Sequence, residues 1–272
     1  MKNKIDLIAE IGWNHLGDMK LAKKMIVAAS NSGADYVKFQ SWSIKNLKNG
    51  EWDDDGRREI YEKAELTKEK HEILIKECNQ RNVKFLSSVF SIEDAKLLNN
   101  LGIKDVKIPG FESRNIELLK FCNIHFEKIF ISSGTSSFDE MKISIGHFTK
   151  AQFVLMHCVS TYPCEYSQAN LPKMIEFFKI HDNIGYSDHI QGINSAIIAV
   201  GFGATTIEKH FTIDNDLPGR DNKFAILPNQ LLKLKNLLIE REKMLINHGL
   251  GFQSSESSSR INYAGRFDKK IK

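Results

Sequence analysis

Hydrophobic and polar positions along the chain alternate between two kinds of pattern. Short runs rich in β-branched and aromatic residues predict strands, and longer stretches with apolar residues at helical spacing lie between them. Eight strand-like runs occur, and each is followed by a helical stretch. The predicted strands span residues 6–12, 36–41, 83–88, 105–110, 128–134, 153–160, 183–189 and 205–211.

The helical stretches carry the boundary signals that helices need. The first one, DMKLAKKMIVAASNSG, opens on Asp18 as a predicted N-cap and closes on Gly33. Strict alternation predicts parallel strands, because a right-handed helical crossover places each strand beside the previous one. Eight such units in a chain of 272 residues favour an α/β fold with one domain, a (β/α)8 TIM barrel over residues 1–250. An open doubly wound sheet is the alternative, although the chain has no GxGxxG or GxxxxGK loop.

Two regions depart from the alternation. Residues 41–66 form a long connection after the second predicted strand, and connections of this length are often functional. The run Asp53, Asp54 and Asp55 in this connection is expected to be a solvated face. Residues 251–272 are polar and serine-rich, which predicts a mobile terminal tail rather than a second domain.

Composition narrows the class of protein. Lys and Arg number 38 and Asp and Glu number 34, and an excess of four is too small to indicate nucleic-acid binding. The four cysteines form no CxxC pair, which predicts reduced thiols in a cytoplasmic protein. No signal peptide is visible, and no apolar run reaches the roughly 18 residues of a membrane span.

Polar side chains collect where the predicted strands end, which is where active sites lie in barrels of this type. Lys38 and Gln40 share one face of the second strand, and Glu208 and His210 share one face of the eighth. A lysine inside a barrel is costly unless it meets an anion, so Lys38 and Lys107 predict a bound phosphate or carboxylate. The other candidates at these ends are Glu10, Glu112, Ser132, Ser160, Tyr162, Ser187 and His189.

His189 and His210 end two consecutive predicted strands. A single histidine at a strand end is more often a structural residue than a ligand, and a lone lysine there is usually solvated. The prediction of a site therefore depends on many polar residues meeting at one end of the barrel, since all eight predicted strand ends carry polar groups. A metal site or a phosphate site would need such a pair of histidines.

Blocks that occur in order along the chain carry a more specific signal. They include IAEIGWNHLGD, ADYVKFQSW, VKFLSSVF, VKIPGFES, ISSGTSSFDEM, MHCVSTYPCEYSQANL, GYSDHIQGINSAIIAVGFGAT and IEKHFTIDNDLPGRD. Together they span residues 5 to about 235 and resemble the sialic acid synthase family. The resemblance implies a barrel that condenses phosphoenolpyruvate with N-acetylmannosamine or a related amino sugar. The products would be a nine-carbon 3-deoxy-2-ulosonic acid and phosphate.

The resemblance also implies roles for the candidate residues. It places a divalent metal ion on His189 and His210, with water and the sugar aldehyde oxygen as further ligands. Imidazole suits Mn²⁺ better than Mg²⁺, so Mn²⁺ is expected first, with Mg²⁺ and Co²⁺ as alternatives. By the same resemblance the catalytic residues are Glu10, Lys107 and Glu112, and Glu112 would position or deprotonate the attacking water. The implied substrate-binding residues are Lys38, Gln40, Ser132, Ser160, Tyr162, Ser187 and Asp221.

The chain departs from the family pattern in three places. Gly110 stands where the family usually has a phosphate-binding serine, and PGRDNKFAI replaces a block that usually begins PGPDH. Typical members continue into an antifreeze-like domain that donates an arginine to the partner's sugar site in a homodimer, and these 272 residues hold no such module. The long connection and the tail are therefore the two candidates to complete the sugar site. Their relevant residues are Trp42, Trp52 and Arg57 in the connection, and Arg260 and Arg266 in the tail.

Three functions stay open from the sequence. One is a synthase of a sialic, legionaminic or pseudaminic type of acid, and the second is the same chemistry on a different aldose. The third is a non-catalytic barrel that binds phosphate-bearing ligands or a partner chain. The retention of Glu10, Lys38, Lys107, His189 and His210 argues against the third.

Overall fold

Eight parallel strands close into a barrel in the order of the sequence. The coordinates are a computed structural model that describes residues 4–50 and 56–267, so Trp52 and the run Asp53 to Asp55 lie outside the described residues. The predicted (β/α)8 TIM barrel is confirmed. The strands are β1 (Asp6–Gly12), β2 (Tyr36–Ser41), β3 (Lys84–Val89), β4 (Asp105–Ile108), β5 (Lys128–Ser132), β6 (Gln152–Cys158), β7 (Ile184–Asp188) and β8 (Thr206–His210).

Helices follow the strands on the outside of the barrel. The predicted N-cap Asp18 is confirmed, because its side chain accepts hydrogen bonds from the backbone N–H groups of Lys20 and Leu21. The helices in the described residues are α1 (Met19–Asn31), α2 (Arg57–Ala64), α3 (Lys68–Gln80), α4 (Ile92–Asn100), α5 (Ile116–His125), α6 (Phe138–Ile145), α7 (Pro172–Phe177), α8 (Asn194–Gly201), α9 (Pro228–Met244) and α10 (Ser257–Tyr263).

Two helices lie where the sequence predicted none. Helix α2 lies inside the long connection, and its sequence RREIYEKA has too few apolar residues to show a helical period. Helix α10 lies in the tail, where SSSRINY gives no such signal either. Five strands also end earlier than predicted: β4, β5 and β6 each stop two residues short, and β7 and β8 each stop one residue short. Several predicted strand-end residues therefore lie in the loops that follow.

The inside of the barrel has an apolar layer beneath a charged layer. Inward-facing residues near the amino ends of the strands form one buried cluster, and the next inward position on several of these strands is polar or charged. The outer core lies between the sheet and the helices and contains most of the other buried apolar residues. The inner apolar cluster is Ile8, Tyr36, Leu86, Phe130, Val154 and Met156.

Two further features bear on the sequence predictions. The four cysteines are buried and free, as the lack of a disulfide pattern predicted. Within residues 4–50 and 56–267, no helix combines the length and the apolar character needed to cross a membrane.

Candidate active site

Four charged side chains occupy the barrel interior above the apolar layer. Lys38 Nζ lies 2.8 Å from Glu10 Oε2 and 3.5 Å from Glu208 Oε1, and Lys107 Nζ lies 2.8 Å from Glu208 Oε2. None of the four is more than 5% exposed. Since isolated buried charges are very costly, the two lysines and two carboxylates stabilise one another by forming a neutral set. We call these four residues the ionic cluster.

The two carboxyl groups of the ionic cluster differ in proton affinity. Burial raises the pKa of Glu10 above its usual range, and the attraction of Lys38 opposes this only in part. Burial acts on Glu208 in the same direction, but Lys107 and Lys38 outweigh it and hold the pKa of Glu208 below its usual range. Glu10 is therefore the carboxyl group that takes up a proton more readily, while Glu208 stays ionised.

Polar neighbours hold the ionic cluster in place. Gln40 Nε2 donates to Glu10 Oε1 at 2.8 Å, and Ser187 Oγ donates to Glu208 Oε1 at 3.0 Å. The structure thus brings together the predicted residues Glu10, Lys38, Gln40, Lys107 and Ser187. Sequence reasoning assigned no role to Glu208, which is the centre of the cluster; two buried lysines in need of an anion were the signal that could have identified it.

The rings of His189 and His210 lie side by side, with centroids 5.3 Å apart. His189 Nδ1 lies 2.8 Å from the carbonyl oxygen of Val159, which assigns the proton to Nδ1 and leaves the lone pair on Nε2. His210 Nδ1 is buried without a hydrogen-bond partner in the described structure, and it lies 3.7 Å from Asp221 Oδ2. Burial lowers the pKa of both imidazoles to about 3. Both rings are therefore neutral, which is the form that binds metal ions.

A buried ion pair behind the sheet supports both histidines. Lys209 Nζ lies 2.9 Å from Asp188 Oδ2, and each residue directly precedes one of the histidines. Asp188 also accepts hydrogen bonds from Ser195 Oγ at 2.6 Å and from the backbone N–H of Ile190 at 2.9 Å. This pair joins the ends of β7 and β8, so it sets the positions from which the two imidazoles project.

Tyr162 and Arg220 cover the histidine pair. The Tyr162 ring lies 4.2 Å from the His189 ring and 6.2 Å from the His210 ring, measured between centroids. The Arg220 guanidinium lies 5.1 Å from the centre of the Tyr162 ring, within the range of a cation–π contact. The predicted residue Tyr162 thus lies beside the histidines, and Arg220 is a neighbour that sequence reasoning missed.

Gly110 has a packing explanation. A Cβ atom on Gly110 would lie 2.5 Å from the carbonyl oxygen and 2.8 Å from the Cα of Gly134. A Cβ on Gly134 would in turn lie 2.2 Å from Ser160 Oγ. These loops approach each other too closely for a serine at position 110 without a backbone shift. The predicted residue Ser160 lies at this contact.

The structure gives two predicted residues less support. Glu112 is half-buried in the 3₁₀ turn after β4, where its Oε2 accepts a hydrogen bond from Asn115 Nδ2 at 3.0 Å. Ser132 is buried at the end of β5, next to Ser133, whose hydroxyl is buried without a partner in the described residues. The contact seen for Glu112 is with the start of α5, so its role in activating water stays a prediction.

Three aromatic side chains from separate segments meet beside Asp221, and we call them the aromatic cluster. Trp13 stacks on Tyr61, with ring centroids 4.2 Å apart and planes 15° apart. Trp42 meets Trp13 edge-on at 6.4 Å and Tyr61 edge-on at 4.8 Å. Trp13 Nε1 donates a hydrogen bond of 2.6 Å to Asp221 Oδ2. Sequence reasoning missed both Trp13 and Tyr61. Tyr61 lies on helix α2, which the sequence did not predict.

The two segments predicted to complete the site therefore differ. The long connection reaches Asp221 through Tyr61 and Trp13. The tail arginines contact aromatic rings of the tail itself: Arg260 lies 4.5 Å from the centre of the Phe252 ring, and Arg266 lies 5.8 Å from that of Tyr263. The connection is the better supported candidate.

Known proteins resemble this chain in both sequence and fold. The model of the NeuB family matches residues 25–249. An N,N'-diacetyllegionaminic acid synthase of Campylobacter jejuni subsp. jejuni serotype O:2 is 35% identical over 275 residues, covering 94% of this chain and 81% of that protein.

Two solved structures match with appreciable identity. The N-acetylneuraminic acid (sialic acid) synthetase from Leptospira borgpetersenii serovar Hardjo-bovis, in complex with citrate, has a TM-score of 0.85 at 31% identity, covering 96% of this chain and 92% of that one. The spore coat polysaccharide biosynthesis protein SpsE from Bacillus subtilis has a TM-score of 0.77 at 31% identity, covering 89% and 69%.

Proposed function

Because the chain belongs to the NeuB family, we propose that it condenses phosphoenolpyruvate with an amino sugar to give a sialic-acid-type 3-deoxy-2-ulosonic acid and phosphate. Relatives with this kind of activity in their names include legionaminic acid, pseudaminic acid and N-acetylneuraminate-9-phosphate synthases. The observation that carries the proposal is the presence of two buried lysines and of two neutral histidines in contact with each other, all on strands of one barrel or directly after them.

Phosphoenolpyruvate carries a phosphate and a carboxylate, and the ionic cluster suits such an anion. Lys38 and Lys107 supply two cations inside the barrel, where water screens charge poorly. An entering anion would compete with Glu10 and Glu208 for these cations. Since the pKa of Glu10 is raised, Glu10 can take up a proton and so limit the added negative charge. Much of the rate acceleration would then come from positioning and electrostatic stabilisation.

In the proposed reaction, C3 of phosphoenolpyruvate attacks the aldehyde carbon of the open-chain sugar. Water adds to C2, and the C2–O bond to phosphate then breaks, so that phosphoenolpyruvate, aldose and water give the ulosonic acid and phosphate. The lysines hold the departing phosphate, while the Ser187 hydroxyl keeps Glu208 between them. The predicted roles are catalytic for Glu10 and Lys107 and substrate-binding for Lys38.

His189 and His210 fit a divalent metal ion in their protonation state. The hydrogen bond to Val159 fixes the tautomer of His189, and His210 has an unpartnered buried ring nitrogen. In the described ranges no three or more His, Cys, Asp or Glu residues are grouped around one metal position, so water and the sugar would supply the other ligands. When bound, the ion would act as a Lewis acid on the sugar aldehyde. Mn²⁺ is proposed first, with Mg²⁺ and Co²⁺ as alternatives.

The acceptor and the cellular setting complete the proposal. N-acetylmannosamine or a related amino sugar would bind beside Asp221, on the side of the histidines that faces the aromatic cluster. Four buried free cysteines fit a reducing compartment, so the proposed location is the cytoplasm. A homodimer stays a prediction.

A phosphate-release assay tests the proposal. The protein is incubated with phosphoenolpyruvate, Mn²⁺ and a panel of aldoses: N-acetylmannosamine, its 6-phosphate, and a 2,4-diacetamido hexose. We expect sugar-dependent phosphate release and a product that is heavier than the sugar by one pyruvate unit in mass spectrometry.

Matched lysine variants give the control. Lys107→Met should remove this activity, whereas Lys84→Met changes a mostly exposed lysine at the opposite end of the barrel and should leave it intact. Equal phosphate release with and without every sugar of the panel would refute the proposed function.

A further inference from the structure

The aromatic cluster lies next to the place where the proposed sugar aldehyde would react. Its three rings are half-buried, so each keeps part of its surface accessible. Asp221 links it to the histidines, because Oδ2 lies 2.6 Å from Trp13 Nε1 and 3.7 Å from His210 Nδ1. An acceptor that places its aldehyde at the histidines and a polar group at Asp221 therefore has aromatic rings beside its remaining atoms.

The cluster is held by specific contacts on both sides. Gly17 has a φ of +80°, and a Cβ there would lie 1.9 Å from the carbonyl oxygen of Lys63, so the end of α2 packs directly on the loop that follows Trp13. The two ends of the connection are also joined, because Glu65 accepts hydrogen bonds from Ser43 Oγ at 2.8 Å and from the backbone N–H of Ile44 at 3.2 Å. These contacts fix Tyr61 and Trp42 relative to Trp13, so the rings form a preformed surface.

We propose that Trp13, Trp42 and Tyr61 form an aromatic wall of the acceptor subsite, which selects a hexose with two N-acyl groups over one with a single N-acyl group. This inference rests on the proposed function. An acyl methyl group packs favourably on an aromatic face, whereas a hydroxyl group in the same place loses hydrogen bonds to water. Asp221 beside the wall provides an acceptor for the amide N–H of the same substituent.

The relatives support this acceptor class. Two relatives, each 35% identical to this chain, are named N,N'-diacetyllegionaminic acid synthases. The condensation forms a bond at the aldehyde carbon and leaves the N-acyl groups of the sugar untouched. The acceptor for an N,N'-diacetyl product therefore already carries two acetamido groups.

Steady-state kinetics with two sugars test the wall. Tyr61→Leu and Trp42→Leu each remove an aromatic face and keep an apolar side chain. We expect the ratio of kcat/KM for a 2,4-diacetamido hexose to that for N-acetylmannosamine to fall about 10-fold, since an apolar group in a pocket discriminates by about 10- to 200-fold. The loss should appear in the KM of the diacetamido sugar, with the KM of phosphoenolpyruvate unchanged.

Two variants act as controls for this experiment. Tyr61→Phe keeps the ring and should keep most of the preference for the diacetamido sugar. Tyr263→Leu makes the same change as Tyr61→Leu at an exposed ring of the tail, and it should not alter the ratio. The proposal is overturned if both wall variants lose activity equally with the two sugars. It is also overturned if the unmodified protein prefers N-acetylmannosamine or its 6-phosphate.

Tryptophan fluorescence separates this inference from the proposed function. The three tryptophans of the chain are Trp13, Trp42 and Trp52, so two of the three belong to the wall and the third to the same connection. Titration with the diacetamido hexose alone should change the emission saturably, and Trp42→Leu should weaken the apparent affinity. If this holds while no sugar supports phosphate release, the wall stands and the proposed function fails. Turnover of that sugar without any change in emission would overturn the wall.

Discussion

Replacing Lys38 with methionine tests the charge balance of the ionic cluster. Two lysines and two carboxylates make the cluster neutral, and Lys38→Met leaves one negative charge in excess. Lys38 is 3% exposed, and its Nζ lies 2.8 Å from Glu10 Oε2. In the Lys38→Met variant, the Glu10 carboxylate would keep the amide of Gln40 as its hydrogen-bond partner within the cluster. Removing one partner of a buried pair costs about 3–5 kcal/mol, a large share of the roughly 5–15 kcal/mol that stabilises a typical domain.

A second substitution should restore much of that stability. The double variant Lys38→Met/Glu10→Gln removes one charge of each sign, which leaves the balanced pair of Lys107 and Glu208. We expect the double variant to regain at least half of the lost unfolding free energy, measured by urea denaturation followed by circular dichroism. The affinity for phosphoenolpyruvate should stay about 10- to 100-fold lower in both variants, because a hydrogen bond to a charged group contributes about 1.5–3 kcal/mol.

The pH dependence of the stability of Lys38→Met gives a further check of the charge balance. A buried acid with a raised pKa binds more protons in the folded state, so its contribution to stability is present at low pH and is lost as the pH rises. Without Lys38 the pKa of Glu10 should rise further, so the stability deficit of Lys38→Met should be smaller at pH 5.5 than at pH 8. Lys84→Met, at a mostly exposed lysine, should cost less than about 1 kcal/mol. If Lys38→Met is as stable as the unmodified protein, or the double variant is no more stable than Lys38→Met, the charge-balance reasoning is wrong.

Three other predictions concern the histidines and the indole. His189→Ala and His210→Ala should each abolish binding of one Mn²⁺ per chain in isothermal titration calorimetry, together with turnover; tight Mn²⁺ binding by both variants would contradict the metal assignment. Trp13→Phe keeps an aromatic ring but removes the donor to Asp221, so the sugar KM should rise about 10-fold with little change for phosphoenolpyruvate. Burial lowers the pKa of His15 from 6.5 to about 4, so the folded protein binds fewer protons at this residue than the unfolded chain. The free energy of unfolding should therefore fall as the pH drops from 6.5 to 4, by up to about 1.4 kcal/mol per pH unit. His15→Asn should flatten this slope in urea unfolding measured from pH 4 to 7.5, and identical slopes would disprove the role of His15.

The barrel was predictable from the sequence because its signals are local. Each strand is a short apolar run, and capping residues such as Asp18 mark where helices begin. Alternation along a strand then assigns faces, so Lys38 and Gln40 were correctly placed together, and both contact Glu10. The family blocks added the expected metal ligands and substrate-binding residues.

The tertiary structure alone decided which charges meet. The sequence predicted that Lys38 and Lys107 need an anion, but the register of β8 is what brings the carboxylate of Glu208 to both of them. Glu112 is a residue that the sequence predicted in the site but whose observed contact lies elsewhere. Strand β4 ends before Pro109, and the following turn directs the Glu112 carboxylate to Asn115. Such distances depend on strand register and loop geometry, which residue periodicity does not specify.

The sequence by itself thus determined the order of the eight strands, the barrel class and the end of the barrel that carries the candidate site, since each follows from local patterns repeated along the chain. Only the tertiary structure decided the aromatic cluster. Helix α2 is too polar to be recognised from its own sequence, and its place is set by packing Tyr61 on Trp13 and by the close approach at Gly17. Contacts between residues far apart in sequence depend on how the closed barrel places its loops, and no local pattern encodes that placement.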